Sequence, residues 1–145
     1  MYETKFCKIE YLQKHNAIFC QWKQFCKGDN YRNLFEYGLK LINEKNATVW
    51  ISNTINGFKN ESEDTVWLLE SFMPKIIESS YDTIVFIIKK DSPLKDEIDE
   101  QIKALSQYFN VKQIEKLEDL QTLEELTGME FLIDSTRVKK EILCD

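Results

Sequence analysis

Glycine and proline are scarce in this chain, which has four glycines and two prolines in 145 residues. The glycines are Gly28, Gly38, Gly57 and Gly128. Their spacing fits neither GxGxxG nor GxxxxGK followed by Ser or Thr, so the common phosphate-binding loops are excluded as motifs. With 43% hydrophobic and 12% aromatic residues, the composition is typical of a packed globular protein and not of a disordered one. The length predicts one domain.

Histidine and paired cysteines are lacking as well. The chain has His15 alone, and its cysteines Cys7, Cys20, Cys26 and Cys144 include no CxxC pair. These spacings match no zinc or redox motif, so we predict no metal site and no cofactor. We expect the cysteines to be small buried hydrophobes or surface thiols, and Cys26, just ahead of a helix start, is the best candidate for a reactive thiol.

Basic clusters and long apolar runs are also missing. The chain has 25 acidic against 19 basic residues, a net charge of -6, and its lysines are scattered. Nucleic-acid binding is therefore not expected, because it depends on clustered Lys and Arg. No apolar run approaches the roughly twenty residues that span a bilayer, and "MYETKFCKIE" lacks the apolar segment of a signal peptide. We predict a soluble cytoplasmic protein with no nucleic-acid or membrane partner.

The N-terminal residues predict a β-hairpin. Apolar and polar side chains alternate over residues 5–12 and again over residues 18–25, and the intervening "QKHN" is short enough for a tight connection. Pairing Tyr11 with Ile18 and Ile9 with Cys20 places both apolar sets on one face. His15 then lies at the hairpin tip, far from any serine or cysteine that a catalytic triad would need.

Helices and strands alternate after the hairpin. A helix follows Gly28, with Asp29 or Asn30 as its cap, and "ATVWIS" and "TIVFII" predict buried strands. A helix from Ser92, its predicted cap, has Pro93 at its first position, and residues 111–115 predict an edge strand. A leucine-rich helix over residues 117–127 ends at Gly128.

The helix predicted between the two buried strands contains a proline. Its apolar stripe consists of Val66, Leu69, Met73, Ile76 and Ile77. Since proline removes a backbone hydrogen bond and clashes with the preceding turn, Pro74 predicts a kink or a restart near Phe72 or Met73.

These elements predict an α/β fold. Helical crossovers favour parallel pairing, so we expect a single-layer mixed sheet of four to five strands, with an N-terminal antiparallel hairpin, a parallel core and about four helices. Residues 1–128 form one domain in this prediction, and residues 129–145 form a C-terminal tail that packs on it or stays separate.

Catalytic motifs are weak throughout. Ser92-Pro93-Leu94-Lys95 matches the S-x-x-K pattern of serine acyl enzymes, but no S-D-N or K-T-G accompanies it and helix capping already explains Ser92. Glu61, Glu63 and Asp64 are acids at a helix start, which the helix dipole favours without any catalytic role. We predict no catalytic residues and a protein that is not an enzyme.

The chain resembles small bacterial SpoIIAA-like proteins related to STAS domains. The resemblance covers about residues 2–126 and is carried by "WKQFCKGDNYRNLFEYGLKL", "VWISN" and "SEDTVWLLESFMPK". The matching positions are Trp22, Tyr31, Arg32, Trp50, Asn53, Glu63, Asp64, Trp67, Leu68 and Pro74. It implies a sheet with helices that serves protein–protein switching in STAS relatives and apolar-ligand binding in more distant ones.

The resemblance also directs attention to Ser62. In the anti-sigma antagonists of this group, a serine at a helix start is phosphorylated. Ser62 occupies a similar place but lacks the glycines that follow the phosphorylated serine, so it is a candidate phosphorylation site, and a capping role for Ser62 or Asn60 is the preferred interpretation.

Three functions from different classes follow. The first is a non-catalytic regulatory module that contacts a protein partner or a second copy of itself in a homodimer, and its candidate contact residues are Ser52, Thr54, Asn56, Trp67, Leu68 and Phe72. Trp67 is expected to be partly exposed, whereas Trp22 and Trp50 are expected in the core. The second is a carrier of a small apolar ligand held in a cleft that the kink at Pro74 opens between helix and sheet. The third, an enzyme, is ranked last.

Overall fold

Residues 1–120 fold into a six-stranded mixed sheet with four helices. The computed structural model describes residues 1–120. Its strands are β1 (Tyr2–Glu3), β2 (Cys7–Leu12), β3 (Ala17–Trp22), β4 (Val49–Asn53), β5 (Thr83–Ile87) and β6 (Asn110–Ile114). Its helices are α1 (Asp29–Lys45), α2 (Ser62–Trp67), α3 (Met73–Ile77) and α4 (Lys95–Leu105), with a π-helical turn at Leu68–Phe72 between α2 and α3. The domain boundary at 128, the tail and most of the helix predicted over 117–127 lie outside the described residues.

The hairpin has the predicted register. Strands β2 and β3 are antiparallel, with Tyr11 opposite Ile18 and Ile9 opposite Cys20. A short 3-10 turn at Gln13–His15 joins them, and Asn16 closes it in the left-handed region at φ 49°. The prediction of four to five strands is too low, because β1 adds a sixth strand beside β2. With two residues, β1 is too short to show an alternating pattern.

The strand order in the sheet follows the order in the chain, from β1 to β6. Strands β3 to β6 are parallel, and a helical segment crosses over between each pair. All four helices contribute to one core cluster on the same face of the sheet, because strands β3 to β6 advance in one direction and crossovers of one handedness then fall on one side. On the other face, Leu117 and Leu120 pack against Ile51 and Val85. None of the helices in residues 1–120 combines the length and apolar composition needed to cross a lipid bilayer.

Helix α1 begins differently from the prediction. Asp29 is its first residue, so neither Asp29 nor Asn30 is the cap, and Gly28 takes that place. The φ of Gly28 is 61° with ψ of -134°, a combination that glycine adopts much more easily than residues with a side chain. In the middle of α1, a Cβ added to Gly38 would overlap the ring of Trp50, so glycine lets the helix approach β4 closely.

The segment from 62 to 77 is helical with a widened turn, and α3 restarts at Met73 as predicted from Pro74. The Met73 N–H donates to the carbonyl of Leu68, five residues earlier. Pro74 has no N–H to donate and would clash in a regular helix. The i→i+5 turn accommodates it.

The predicted apolar stripe of this helix is wrong in its first half. Val66 is 51% exposed and Leu69 is 46% exposed, while Asp64 and Phe72 are buried. A stripe of constant period assumes a regular helix. Because the π turn adds a residue to one turn, residues before and after it do not stay on one face.

The observed boundaries of two later elements, α4 and β6, also differ from the predicted ones. Helix α4 begins at Lys95, two residues after the predicted start at Pro93. Ser92 lies in the preceding turn, where its Oγ accepts a hydrogen bond from the Leu94 N–H at 3.1 Å, so its side chain caps a turn and not the helix. Strand β6 starts at Asn110 and ends at Ile114, one residue earlier than predicted at each end.

Candidate functional site

A cleft of about 420 Å³ lies on the helical face of the sheet. One wall is the helical segment 62–77 and the other is α4, because both cross over on the same side of β5. The floor comes from β4 and β5, whose alternating side chains send Trp50 and Ser52, and then Ile84 and Phe86, towards the helices. A cleft of this volume is within the usual range of small-molecule sites, roughly 300–1,000 Å³.

Stacked aromatic rings hold the floor and one end of the cleft in place. Phe35 lies parallel to Trp50, with ring centroids 5.8 Å apart, and contacts Trp22 at 6.0 Å. Trp50 in turn contacts Tyr81 at 6.1 Å. Such rings have few rotamers, and each ring here is held by others, so the apolar surface is formed before any ligand arrives.

The π turn shapes the opposite wall. Leu68, Phe72 and Met73 face the cleft from this turn and the start of α3, and the exposed Leu69 lies at its edge. π turns inside helices frequently occur at functional sites, since they redirect side chains that a regular helix would place elsewhere. Pro74 thus follows a π turn that lines a cleft, but this cleft lies between the helical segment 62–77 and α4, whereas the prediction placed it between the helix and the sheet.

Polar side chains form the smaller part of the lining, and several of them are engaged. The Thr54 hydroxyl donates to the Ile87 carbonyl at 2.8 Å, and the Asn60 amide donates to the Tyr31 hydroxyl at 2.9 Å. Burial raises the pKa of Tyr31 and of Tyr81, so both phenols are neutral at ordinary pH. The Ser52 hydroxyl forms no hydrogen bond with the described residues and is the one polar group of the floor open to a ligand.

Four of the six predicted contact residues line this cleft: Ser52, Thr54, Leu68 and Phe72. Thr54 is 8% exposed and Phe72 is 2% exposed, so neither forms part of an exposed surface as the contact prediction required. Asn56 is exposed in the loop after β4. Trp67 is half-buried as predicted, stacked on Phe72 at 5.3 Å between ring centroids.

Asp64 joins the start of α2 to the start of α1. It is 1% exposed, and its carboxylate accepts hydrogen bonds from the Gly28 N–H at 3.0 Å and from Arg32 Nε at 3.1 Å. The Arg32 guanidinium also lies over the Trp67 ring, 5.5 Å from its centroid. The sequence predicted a helix-dipole acid here. The ion pair was missed because its partner is 32 residues away, and no local pattern connects the two.

Ser62 is the first residue of α2 and is exposed. The capping prediction is wrong for both candidates, because Glu61 occupies the cap position and the Asn60 side chain bonds to Tyr31 instead. Phosphorylation of Ser62 stays a prediction.

Cys26 is not a reactive thiol in this structure. Burial raises its pKa to about 12, whereas a nucleophilic cysteine needs a lowered pKa. Cys7 and Cys20 are likewise buried with a raised pKa, and Cys144 lies outside the described residues. In residues 1–120, no three His, Cys, Asp or Glu side chains are grouped so that they could hold a metal ion.

Several lining residues were not singled out from the sequence. These residues include Phe35 on α1, Phe58 and Tyr81 in connecting segments, and Ala104, a small residue on α4. The apolar periodicity of α4 identifies its buried face. It contains no sign that this face is separated from the preceding helix by a gap, because the gap depends on where two remote helices cross the sheet.

The comparisons with known proteins add no relative. The SpoIIAA-like resemblance and its phosphorylation and switching roles therefore stay predictions. No family model matches the chain, and no curated protein or solved structure shows significant similarity to it.

Proposed function

We propose that this protein binds a small apolar ligand in the cleft between the helical segment 62–77 and α4. The observation that carries the proposal is the cleft itself: an open volume of about 420 Å³ whose floor and walls are mostly aromatic and aliphatic. Small-molecule sites are typically concave, mostly apolar and of this size, with a few polar groups among the lining residues.

The chemistry of the lining favours binding over catalysis. Its tyrosines are neutral, and Thr54 is held by a backbone carbonyl. Ser52 has no histidine or lysine among the lining residues of positions 1–120 to remove its proton, and the carboxylates Glu97 and Glu100 form no hydrogen bond to a nucleophile within the same residues. General acid–base or nucleophilic catalysis needs a titratable pair within hydrogen-bonding reach. A carrier or ligand-sensing protein needs only shape and apolar surface.

Filling the cleft should abolish binding. We expect wild-type protein to bind N-phenyl-1-naphthylamine, a neutral probe that fluoresces in apolar sites, in a saturable manner. Ala104→Trp places an indole into the cleft and should weaken this binding at least about tenfold, a loss of about 1.4 kcal/mol. Fluorescence titration measures the affinity, and circular dichroism verifies the fold. Lys103→Trp is the matched control, because Lys103 is exposed on the same helix and does not line the cleft. Equal affinity of wild type and Ala104→Trp would contradict the proposal.

A protein-contact role is the second candidate, favoured by exposed apolar side chains on the same helical segment. Val66 and Leu69 are about half exposed on either side of the half-buried Trp67. Clustered exposed apolar groups often mark interaction surfaces.

Self-association through this surface is directly testable. Val66→Lys should shift a concentration-dependent dimer to monomer in sedimentation velocity, while Glu63→Lys, which places the same charge on a neighbouring exposed position, should leave the dimer intact. Val66 does not line the cleft, so this variant leaves ligand binding unaffected. Monomeric wild-type protein at every concentration would contradict self-contact.

A further inference from the structure

Building on the proposed ligand-binding function, we propose that the cleft selects apolar ligands whose polar end is neutral or positively charged, and rejects carboxylates and phosphates. Free fatty acids and anionic lipids are thereby excluded, and apolar amines and alcohols are favoured. The proposal concerns the ligand's charge and follows from the charges that surround the cleft.

Within residues 1–120 the lining contains carboxylates but no cation. Glu97 and Glu100 line the cleft from α4 and are joined there by Gln101, while no Lys, Arg or His of this part of the chain is among the lining residues. These three residues fall on one side of α4, since positions three and four apart are neighbours on a helix surface. Glu97 is half-buried, so its charge is only partly screened by water.

Two cations near the cleft are already engaged elsewhere. Lys95 on α4 binds Asp99 at 2.7 Å, and Arg32 binds Asp64 at 3.1 Å. By contrast, Glu97 and Glu100 form no ion pair or hydrogen bond within the described part of the chain. A ligand carboxylate would therefore meet two unneutralised negative charges and no compensating positive one.

The helix N-termini beside the cleft do not supply this missing positive charge either. A helix N-terminus attracts anions through its dipole and its free N–H groups. Here the first turn of α2 carries Glu63 and Asp64, and the first turn of α4 carries Asp96 and Glu97. The Asp64 carboxylate is already paired with Arg32, but Glu63, Asp96 and Glu97 offset the attraction of these two helix starts for an anion.

The apolar surface itself favours a cation. Trp50, Tyr81, Phe58 and Phe35 present aromatic rings to the cleft, and the faces of such rings attract ammonium groups. A neutral hydroxyl also has a partner, because the Ser52 hydroxyl can donate or accept a hydrogen bond. The ammonium group of an amine can thus interact with aromatic rings, and the hydroxyl of an alcohol can bond to Ser52.

The test uses three ligands of equal size: 2-naphthylmethylamine, 2-naphthylmethanol and 2-naphthoic acid. Each displaces N-phenyl-1-naphthylamine from the full chain at neutral pH and about 20 mM salt, where screening is weak. We expect the amine to bind at least about tenfold tighter than the acid, with the alcohol between them, because each close like-charge contact costs the acid a severalfold loss.

Charge-neutral variants identify the groups responsible. Glu97→Gln combined with Glu100→Gln should reduce the amine-to-acid affinity ratio at least about fivefold. The control is Asp91→Asn combined with Glu44→Gln, which removes the same net charge at exposed positions outside the lining and should leave the ratio unchanged.

The outcomes separate the two proposals. Acid binding as tight as amine binding overturns the charge selection and leaves the apolar site standing. An unchanged ratio in the Glu97/Glu100 variant overturns the assignment to these carboxylates. Absence of binding by the fluorescent probe and by all three ligands overturns the proposed function and, with it, this inference.

Discussion

Phe72→Ala is expected to lower the free energy of unfolding by about 3–5 kcal/mol, the usual cost of removing a buried aromatic side chain. Phe72 is 2% exposed and contacts Trp67 at 5.3 Å and Phe35 at 5.4 Å between ring centroids. The substitution removes both ring contacts and leaves a void at the wall of the cleft. Urea unfolding followed by tryptophan fluorescence measures the change.

The control for Phe72 is Val66→Ala on the same helical segment. Val66 is 51% exposed, so its truncation should change stability by no more than about 0.5 kcal/mol. The apolar periodicity of the sequence predicts Val66 on the core stripe, and Phe72 was a candidate contact residue, which would give the reverse order of effects. Equal losses in the two variants would contradict the observed burial of Phe72 and exposure of Val66 on this helical segment.

Asp64→Ala is expected to cost about 2–4 kcal/mol, because it leaves the Arg32 guanidinium and the Gly28 N–H without their shared acceptor. The estimate is below that for a fully buried ion pair, since the Arg32 side chain is 33% exposed and keeps part of its hydration. The measurement is the same urea unfolding. Glu63→Ala removes a carboxylate at the adjacent exposed position and should cost less than about 0.5 kcal/mol.

A double-mutant cycle isolates the ion pair from other effects of Asp64→Ala. Arg32→Met retains an apolar stem over Trp67 but cannot bond to Asp64. If the contact is responsible, Asp64→Ala should cost distinctly less in the Arg32→Met background than in wild type, with a coupling energy of about 0.5–3 kcal/mol. Additive losses would show that Asp64 acts through the Gly28 N–H alone.

The strands were largely predictable from the sequence because their signal is local. Alternation with period two, together with a short polar connection, determined the hairpin register down to Ile9 opposite Cys20. Continuous apolar runs identified β4 and β5 for the same reason. Strand β1 was not predicted because two residues are too few to show an alternating pattern. Its pairing with β2 also depends on the chain turning back at residues 4–6.

The helix over residues 62–77 shows where such reasoning fails. Pro74 correctly predicted an interruption, but whether a proline produces a kink, a break or a π turn in a helix depends on how the helix packs. The exposure of Val66 and Leu69 follows from the π turn, which a regular helical period does not include. Likewise, Ser52 and Leu68 were selected as contact residues and do line the cleft, whereas Ala104 acquires its role only from the helix opposite.

The strand order of the sheet bears on how the chain acquires its structure. Within residues 1–120, each strand after β1 pairs with the one that precedes it in the chain, so none of these strands inserts between two others. The contacts between strands therefore close loops no longer than one helix and its connections, which lowers their entropic cost. During synthesis, each new strand meets an edge that the earlier residues have already formed, and the sheet can grow in the direction of translation.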